Sequence, residues 1–405
     1  MALLRPSPVR VLVLAATGLL AGCLGSSGST DSPLPSDPIV GPDYTVEEVI
    51  AELENPWSMA FLPGDGDRAL VTERPGRLNV VDLGTGSVTE VAGLPAIAAV
   101  GQGGLLDVIL YPDYGPGQEW VYLTYAAANP DNPGQYATHV GRGRFNEQTL
   151  ALDDFEVLHV GTPYAGGGAH FGSRMVFDDQ WRLYVTMGDR GNRNSAQDLN
   201  SHWGKILRLE RDGTMPADNP FVLNPDALNA IYSYGHRNPQ GLTVEQATGR
   251  IWENEHGQQN GDEINIIDQP GGNYGWPIAT CATEYGTGEP IGVPPSERED
   301  TVPPVYCWDG SEYDDGQEGF PPSGMAFYES DAFPQWRGNL FMGNLAHRYL
   351  GRFIIQGREV LQEERMLRDR NWRVRDVRVH PENGYIYLLV DAPSAPLVRI
   401  RPAED

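Results

Sequence analysis

From Trp57 onward the chain repeats one pattern: a short apolar run, a turn rich in Pro, Asp and Gly, then a second apolar run. The pairs are Trp57–Phe61 with Ala69–Thr72, Leu105–Leu110 with Trp120–Tyr125, and Ser173–Phe177 with Leu183–Met187. Three more are Gly241–Val244 with Ile251–Trp252, Ser323–Tyr328 with Asn339–Gly343, and Arg375–Val379 with Tyr385–Val390. Runs this short, bounded by turn residues, predict strands. Several copies continue into a third run that alternates inward and outward positions, as in Arg77–Val81 and Lys205–Leu209. The copies are spaced by about 45 to 85 residues, too irregular for a short-period solenoid but suited to four-stranded blades joined by unequal loops. The expected fold is all-β, a six-bladed β-propeller of four-stranded antiparallel blades over residues 45–405. A pair of β-sandwiches is the alternative, but no Pro/Ser-rich linker divides that span.

Composition supports this reading. The 48 Gly and 33 Pro make one fifth of the 405 residues, against roughly an eighth in average proteins, which marks a turn-rich chain. A hydrophobic content of 40% suffices for a large core. The net charge of −26 repels a phosphate backbone, which excludes nucleic acid as a partner. Only Lys205 is a lysine; every other cation is an arginine.

Near the N-terminus, Arg5 and Arg10 precede an apolar run, Val11–Leu20, of signal-peptide length. It closes with Leu20-Ala21-Gly22-Cys23, which resembles a bacterial lipobox. The expectation is a leader over 1–22, a lipid on Cys23 that anchors an exported protein at the periplasmic or cell-surface membrane, and a tether over 23–44. An ordinary signal peptide with an incidental cysteine is the alternative. Cys281 and Cys307 then remain as an even pair in an oxidising compartment, and a disulfide is expected, with two buried thiols as the alternative.

The chain lacks HExxH, GxSxG, a P-loop and a strand-to-helix GxGxxG, so zinc protease, serine hydrolase and Rossmann dehydrogenase lose their signatures. What remains is a set of Gly-flanked polar loops at blade boundaries, where propellers carry function. Gln102 lies in one and His170 in Gly168-Ala169-His170-Phe171-Gly172, either as a general base or as a turn histidine bonded to backbone. Arg190 lies in Gly188-Asp189-Arg190-Gly191. Arg237 and Asn238 pair a guanidinium fork with an amide, suited to a carboxylate or to a carbonyl oxygen gaining negative charge, with a loop-bracing arginine bonded to carbonyls as the alternative. Arg373 and Arg375 share a strand face, which calls for an anion there or for pairing with Asp376 or Glu382. The loop around Glu263 offers carbonyl and carboxylate oxygens suited to Ca²⁺, or is simply a solvated acidic loop.

Taken together, Gly235-His236-Arg237-Asn238-Pro239-Gln240-Gly241, Gly261-Asp262-Glu263-Ile264-Asn265, Asn273-Tyr274-Gly275-Trp276-Pro277, Pro322–Tyr328 and Arg373-Val374-Arg375-Asp376-Val377 resemble the glucose/sorbosone dehydrogenase family of soluble quinoproteins. The resemblance runs from about Pro56 to Ile400. It implies a propeller that binds pyrroloquinoline quinone (PQQ) over Ca²⁺ and oxidises aldose sugars at C1 to lactones. By that resemblance His170 is the general base and Arg237 stabilises the reduced carbonyl oxygen, while Asn238, Gln102, Arg190, Arg373 and Arg375 contact PQQ. The carbonyls of Gly257 and Gln258 would ligate the cofactor calcium, and the Glu263 carboxylate with the Tyr274 carbonyl a structural calcium. A monomer is expected, with a quinone, cytochrome or dye-like compound as the electron acceptor. Several relatives have Asp where this chain has Ala169 and Pro where it has Gln258, and a lysine of glucose-specific relatives falls near Ala346-His347. These departures point to the broad-specificity aldose branch. A calcium-dependent lactonase or esterase and a non-catalytic binding propeller are the competing functions.

Overall fold

The apolar runs pair as their pattern demands. The computed structural model describes residues 41–64, 67–311 and 319–404; the leader and Cys23 lie outside them. Six antiparallel sheets of four strands follow one another along the chain. Blades 1 to 5 run over residues 56–90, 105–160, 175–234, 239–308 and 322–366. Each of the six sequence pairs supplies the first two strands of a blade. Leu105–Leu110 and Leu183–Met187 are strands with those very bounds. Ser173–Phe177 shortens to Met175–Phe177, because Gly172 and Ser173 take left-handed backbone at φ +64° and +93° and turn the chain first.

The sixth blade is assembled from both ends of the fold. Its inner strands, Val374–Val379 and Ile386–Val390, are followed by Ala395–Pro402, and the strand Tyr44–Leu53 adds outside that, with Tyr44 opposite Pro402 and Val46 opposite Ile400. Tyr44 is the last residue of the expected tether. The first strand of every blade touches the first strand of the next, all round the ring. Apolar side chains fill the gaps between blades: Leu70, Leu78 and Val80 of blade 1 pack on Leu105, Val108 and Leu123 of blade 2, and Phe341 and Leu350 of blade 5 pack on Val374 and Ile386 of blade 6.

The ring's interior is closed by charge. Arg174, 1% exposed, reaches Asp107 Oδ1 at 3.2 Å and Asp376 Oδ1 at 3.1 Å through Nη1, and donates Nε to the Gln240 carbonyl at 2.9 Å. Arg378 bonds Asp376 Oδ2 at 2.9 Å and Asp107 Oδ1 at 3.2 Å, while Ser58 Oγ donates to Asp107 at 2.5 Å. Blades 1, 2, 3, 4 and 6 meet in this network. The indole of Trp57 caps it, with the Arg174 guanidinium 4.1 Å from the ring centroid.

Cys281 and Cys307 are disulfide-bonded. Cys307 sits in Tyr306–Trp308, the last strand of blade 4, and no strand lies between Ile266 and Tyr306. The bridge therefore ties a strandless segment to the sheet.

Two predictions follow from buried charge. Removing one partner of a buried ion network leaves the others uncompensated, typically at ~3–5 kcal/mol; Arg174→Met should lower the unfolding free energy in urea by about that much, and an unchanged value would remove the network as a structural determinant. Between blades 2 and 3, the rings of His159 and His202 lie 4.7 Å apart, and burial pushes them down to about 4 and about 3. An unfolded histidine titrates near 6.5, so on acidification the unfolded chain takes up these protons first and stability falls as pH drops below about 6.5 toward 3. Urea midpoints measured from pH 7 to 4 should decline, and less steeply in His202→Gln; equal slopes in both proteins would count against neutral buried histidines.

Candidate active site

In an up-and-down blade, the loop entering the first strand and the loop leaving the second lie on the same face. All the Gly-flanked loops are of these two kinds. Loops 101–104, 167–174, 235–238 and the turn at Pro321 enter blades, while those at Arg74, Asp189, His256, Leu345 and Asp391 leave second strands. They surround a cavity of about 310 Å³ lined by Trp57, Arg74, Gln102, Gly172, Asn238, Gln240, His256, Ala346, Arg373, Arg375 and Asp391, among others. Trp57 covers the axial charge network from above.

His170 stands beside this cavity in left-handed backbone, φ +50°, a conformation that costs a non-glycine residue roughly 1–2 kcal/mol. Three contacts hold it. Its backbone N–H donates to Gln102 Oε1 at 2.8 Å, its Nδ1 meets Asp189 Oδ1 at 2.6 Å, and its carbonyl abuts Gly188, where an added Cβ would come within 2.3 Å. Asp189 is fixed in turn by the Trp276 indole N–H at 2.9 Å and the Gly191 N–H at 2.8 Å. Burial alone would raise Asp189, but the His170 hydrogen bond and the nearby Arg237 charge hold it below the usual carboxylate range. A buried carboxylate on Nδ1 selects the tautomer with Nε2 unprotonated, ready to accept a proton.

Arg237 is buried and lies across the Trp276 ring at 5.3 Å. It donates to the His256 carbonyl at 3.0 Å and to Gln258 Oε1 at 2.9 Å, while its backbone N–H meets Glu255. Its Nε finds no partner among the described residues. Asn238 Oδ1 accepts from Gly172 N–H at 3.3 Å and Gln240 Nε2 at 3.4 Å, and Gln240 Oε1 accepts from Arg375 at 2.9 Å. The counter-ion of Arg373 and Arg375 is neither Asp376 nor Glu382. Both arginines bond one oxygen of Asp391, at 3.0 and 3.2 Å, and they outweigh its burial to bring it down to about 2. With Arg74 also in the wall, the lining is cationic inside an acidic protein. Arg190 stands one layer back: it lies 3.6 Å from the Phe171 ring centroid and donates to the carbonyls of Ala169 and Gly167, bracing the His170 loop.

The Gly257–Gln258 turn is drawn inward by Asp262, which accepts the Gly257 N–H at 3.0 Å and the Phe320 N–H at 2.7 Å. No described donor reaches the carbonyl of Gly257 or of Gln258. Farther inside blade 4, Glu263 faces Glu255 and Asn265 faces Glu253 across paired strands. His236, Glu253 and Glu255 bring ligand atoms within 4.8 Å of one another, and the Tyr274 ring stacks on His236 at 4.8 Å. Burial and the Glu255 charge push Glu253 and Glu263 well above the ordinary carboxylate value. Glu253 Oε1, Asn265 Oδ1 and His236 Nδ1 have no hydrogen-bond partner among the described residues.

The structure thus lines one cavity with Gln102, Asn238, Arg373 and Arg375, sets His170 and Arg237 at its edge through their bonds to Gln102 and His256, and puts Arg190 behind the His170 loop. Gly257 and Gln258 lie in the turn after the second strand of blade 4, Glu263 in its third strand and Tyr274 in the segment that follows. Sequence reasoning passed over Trp57, Asp189, Gln240 and Asp391. Asp189 carried a signal, standing between two glycines beside Arg190; Asp391 and Trp57 carried none beyond their place at blade ends.

The family model for glucose/sorbosone dehydrogenase matches residues 53–399. The chain is 39% identical over 360 residues to the aldose sugar dehydrogenase YliI of Escherichia coli (strain K12), covering 88% of this chain and 92% of that one. It is similar to the crystal structure of the soluble aldose sugar dehydrogenase from Escherichia coli in its apo-form, with a TM-score of 0.81 and 38% identity over 89% of this chain and 100% of that chain. It is also similar to the PQQ-bound form of an aldose sugar dehydrogenase from Streptomyces coelicolor, with a TM-score of 0.70 and 28% identity over 89% of this chain and 98% of that one. With sheets, loops and sequence in agreement over nearly the whole propeller, the chain belongs to the glucose/sorbosone dehydrogenase family.

Proposed function

We propose that this chain oxidises aldose sugars at C1 to the lactone, with PQQ and Ca²⁺ in the cationic cavity and His170 as general base. The observation that carries the reading is the strained, Asp189-oriented imidazole at the edge of an arginine-lined cavity floored by an indole. A planar tricarboxylate fits that lining: Arg373 and Arg375 share a single carboxylate oxygen and keep donors to spare, and Trp57 offers a flat face. The carbonyls of Gly257 and Gln258, left without donors, suit a calcium ion beside it. Glu263, with the Tyr274 carbonyl, would hold a second calcium, which the neighbouring buried carboxylates and unpartnered oxygens favour electrostatically.

When bound, PQQ supplies the electrophilic quinone carbon that accepts hydride. The protein's part begins with His170: Nε2 takes the proton of the C1 hydroxyl while the C1 hydrogen departs with its bonding pair, leaving C1 doubly bonded to oxygen. Asp189 balances the imidazolium that forms. Arg237, whose Nε has no partner among the described residues, would stabilise the oxygen that gains negative charge. Gln102 holds the His170 loop to the entry of blade 2, and Asn238 holds it to the entry of blade 4. Arg190 contributes by bracing this loop. Lipid attachment at Cys23 would place the enzyme in an exported, membrane-anchored setting, in keeping with the Cys281–Cys307 disulfide. A calcium lactonase would need several carboxylates converging in the cavity, whereas Asp391 is the one carboxylate among its described lining residues and already serves two arginines.

The decisive experiment adds PQQ and Ca²⁺ to purified apoprotein and follows dye reduction by aldoses; no reduction with any aldose would reject the reading. His170→Ala should keep PQQ binding but lose a factor of roughly 10²–10⁴ in turnover, and full turnover in that variant would end the assignment. Chelation should lower both the melting temperature and activity, with Ca²⁺ restoring them. Indifference to EDTA, together with no calcium by elemental analysis, would remove the metal.

A further inference from the structure

Arg237 is held by residues that the family resemblance does not explain, and the chain of contacts leads outward to a half-exposed acid. Gln258 accepts from Arg237 Nη2 at 2.9 Å and donates its own Nε2 to Glu284 Oε2 at 3.3 Å. Glu284 is gripped by Arg193, whose Nη2 meets Oε2 at 3.0 Å and whose Nη1 meets Oε1. Arg193 and Arg237 both lie against Trp276, 5.6 and 5.3 Å from its centroid, and Trp276 is the indole that holds Asp189 on His170.

A glutamine amide can present either end to a neighbour, and here the partners on its two sides demand the same one. A carboxylate only accepts, so Glu284 fixes the Gln258 NH₂ toward itself and the carbonyl oxygen toward Arg237. Turned over, the amide would set its N–H donors against a guanidinium that has none but donors. The loop carrying Glu284 is equally fixed. Cys281 anchors it to Cys307, Thr283 donates from N and Oγ1 to Asn260 Oδ1 at 2.8 and 3.0 Å, and Gln259 N–H meets the Thr283 carbonyl at 3.2 Å. The disulfide loop and the Gly257–Gln258 turn are therefore one stitched unit.

We infer that Glu284 is a positioning residue for Arg237, acting through the polarity of the Gln258 amide, and that the Cys281–Cys307 loop delivers it to the site. The inference rests on the proposed function in that Arg237 acts on the reacting oxygen. Glu284 touches no reacting atom, so its contribution is to the orientation of Arg237 and should be visible in kcat and not in substrate binding.

The test compares the wild-type protein, Glu284→Gln, Gln258→Leu and the double variant, each reconstituted with PQQ and Ca²⁺. Glu284→Gln should lose about three- to tenfold in kcat, with aldose KM and PQQ affinity within about twofold. Gln258→Leu should lose a similar factor, and the double variant should be no slower than Gln258→Leu alone, because Glu284 has nothing left to orient. Losses that multiply, or an unchanged kcat in Glu284→Gln, overturn the inference. An independent reading comes from labelling the apoproteins with phenylglyoxal and following the Arg237 peptide by mass spectrometry, which should react several-fold faster in both single variants. If the wild type oxidises no aldose, the functional reading fails; if Arg237 labelling is unchanged in Glu284→Gln, the relay fails whatever the activity.

Discussion

The buried ion network at the axis is the contact on which the rest of the molecule depends. Asp107, Arg174 and Asp376 leave water almost completely, with Arg378 partly buried beside them, and none of the three is tolerable there alone. Because the four come from blades 2, 3 and 6, with Ser58 of blade 1 and the Gln240 carbonyl of blade 4 completing their hydrogen bonds, the blades must stand at one mutual distance for the charges to be satisfied. Arg174 lies four residues beyond His170, so the device that sets the ring's diameter also anchors the loop whose backbone is strained. Trp57 turns this polar core into a flat apolar floor for the cavity above it.

The cavity poses the opposite problem. A chain with net charge −26 keeps a positive interior only by rationing its counter-charges. Arg373 and Arg375 share one oxygen of Asp391, Arg74 leans on a backbone carbonyl of Gly101, and Arg237 leans on neutral acceptors from His256 and Gln258. The acids of blade 4 are kept beneath the loops, where Glu253, Glu255 and Glu263 crowd one another and not the arginines. Local arrangement thus reverses the sign of the overall field over the few ångströms where binding takes place.

What the sequence disclosed and what it withheld divide along the range of the interactions. The two inner strands of each blade were legible because alternation and turn chemistry are local properties of Trp57–Phe61 or Leu183–Met187. The pairing of Tyr44–Leu53 with Ala395–Pro402 was not, since its register depends on residues some 350 positions apart, nor was the length of Asn132–Asn146, whose Gly and Arg content hides a strand. At the site, His170, Arg237, Arg373 and Arg375 stood out by motif. Asp189, Gln240, Asp391 and Glu284 acquire meaning only when loops from different blades meet, and their residue types are unremarkable in an acidic, loop-rich chain. The pairing of Arg373 and Arg375 with Asp391, 16 to 18 residues away, shows the limit: a shared face could be read, but not the acid opposite it.

The closing of blade 6 by strands from the two ends of the propeller has a temporal meaning. Ala395–Pro402 lies between Tyr44–Leu53 and Ile386–Val390, so the first strand made has no partner until the last one arrives. Throughout synthesis, five blades can form while the ring stays open, with an unpaired edge at each end. The axial charges and the cavity both draw on residues of blade 6, so neither exists in a partly delivered chain. Ligand capture is thereby confined to the finished molecule, and the order of events is written into the topology: polypeptide first, ring second, cofactor last.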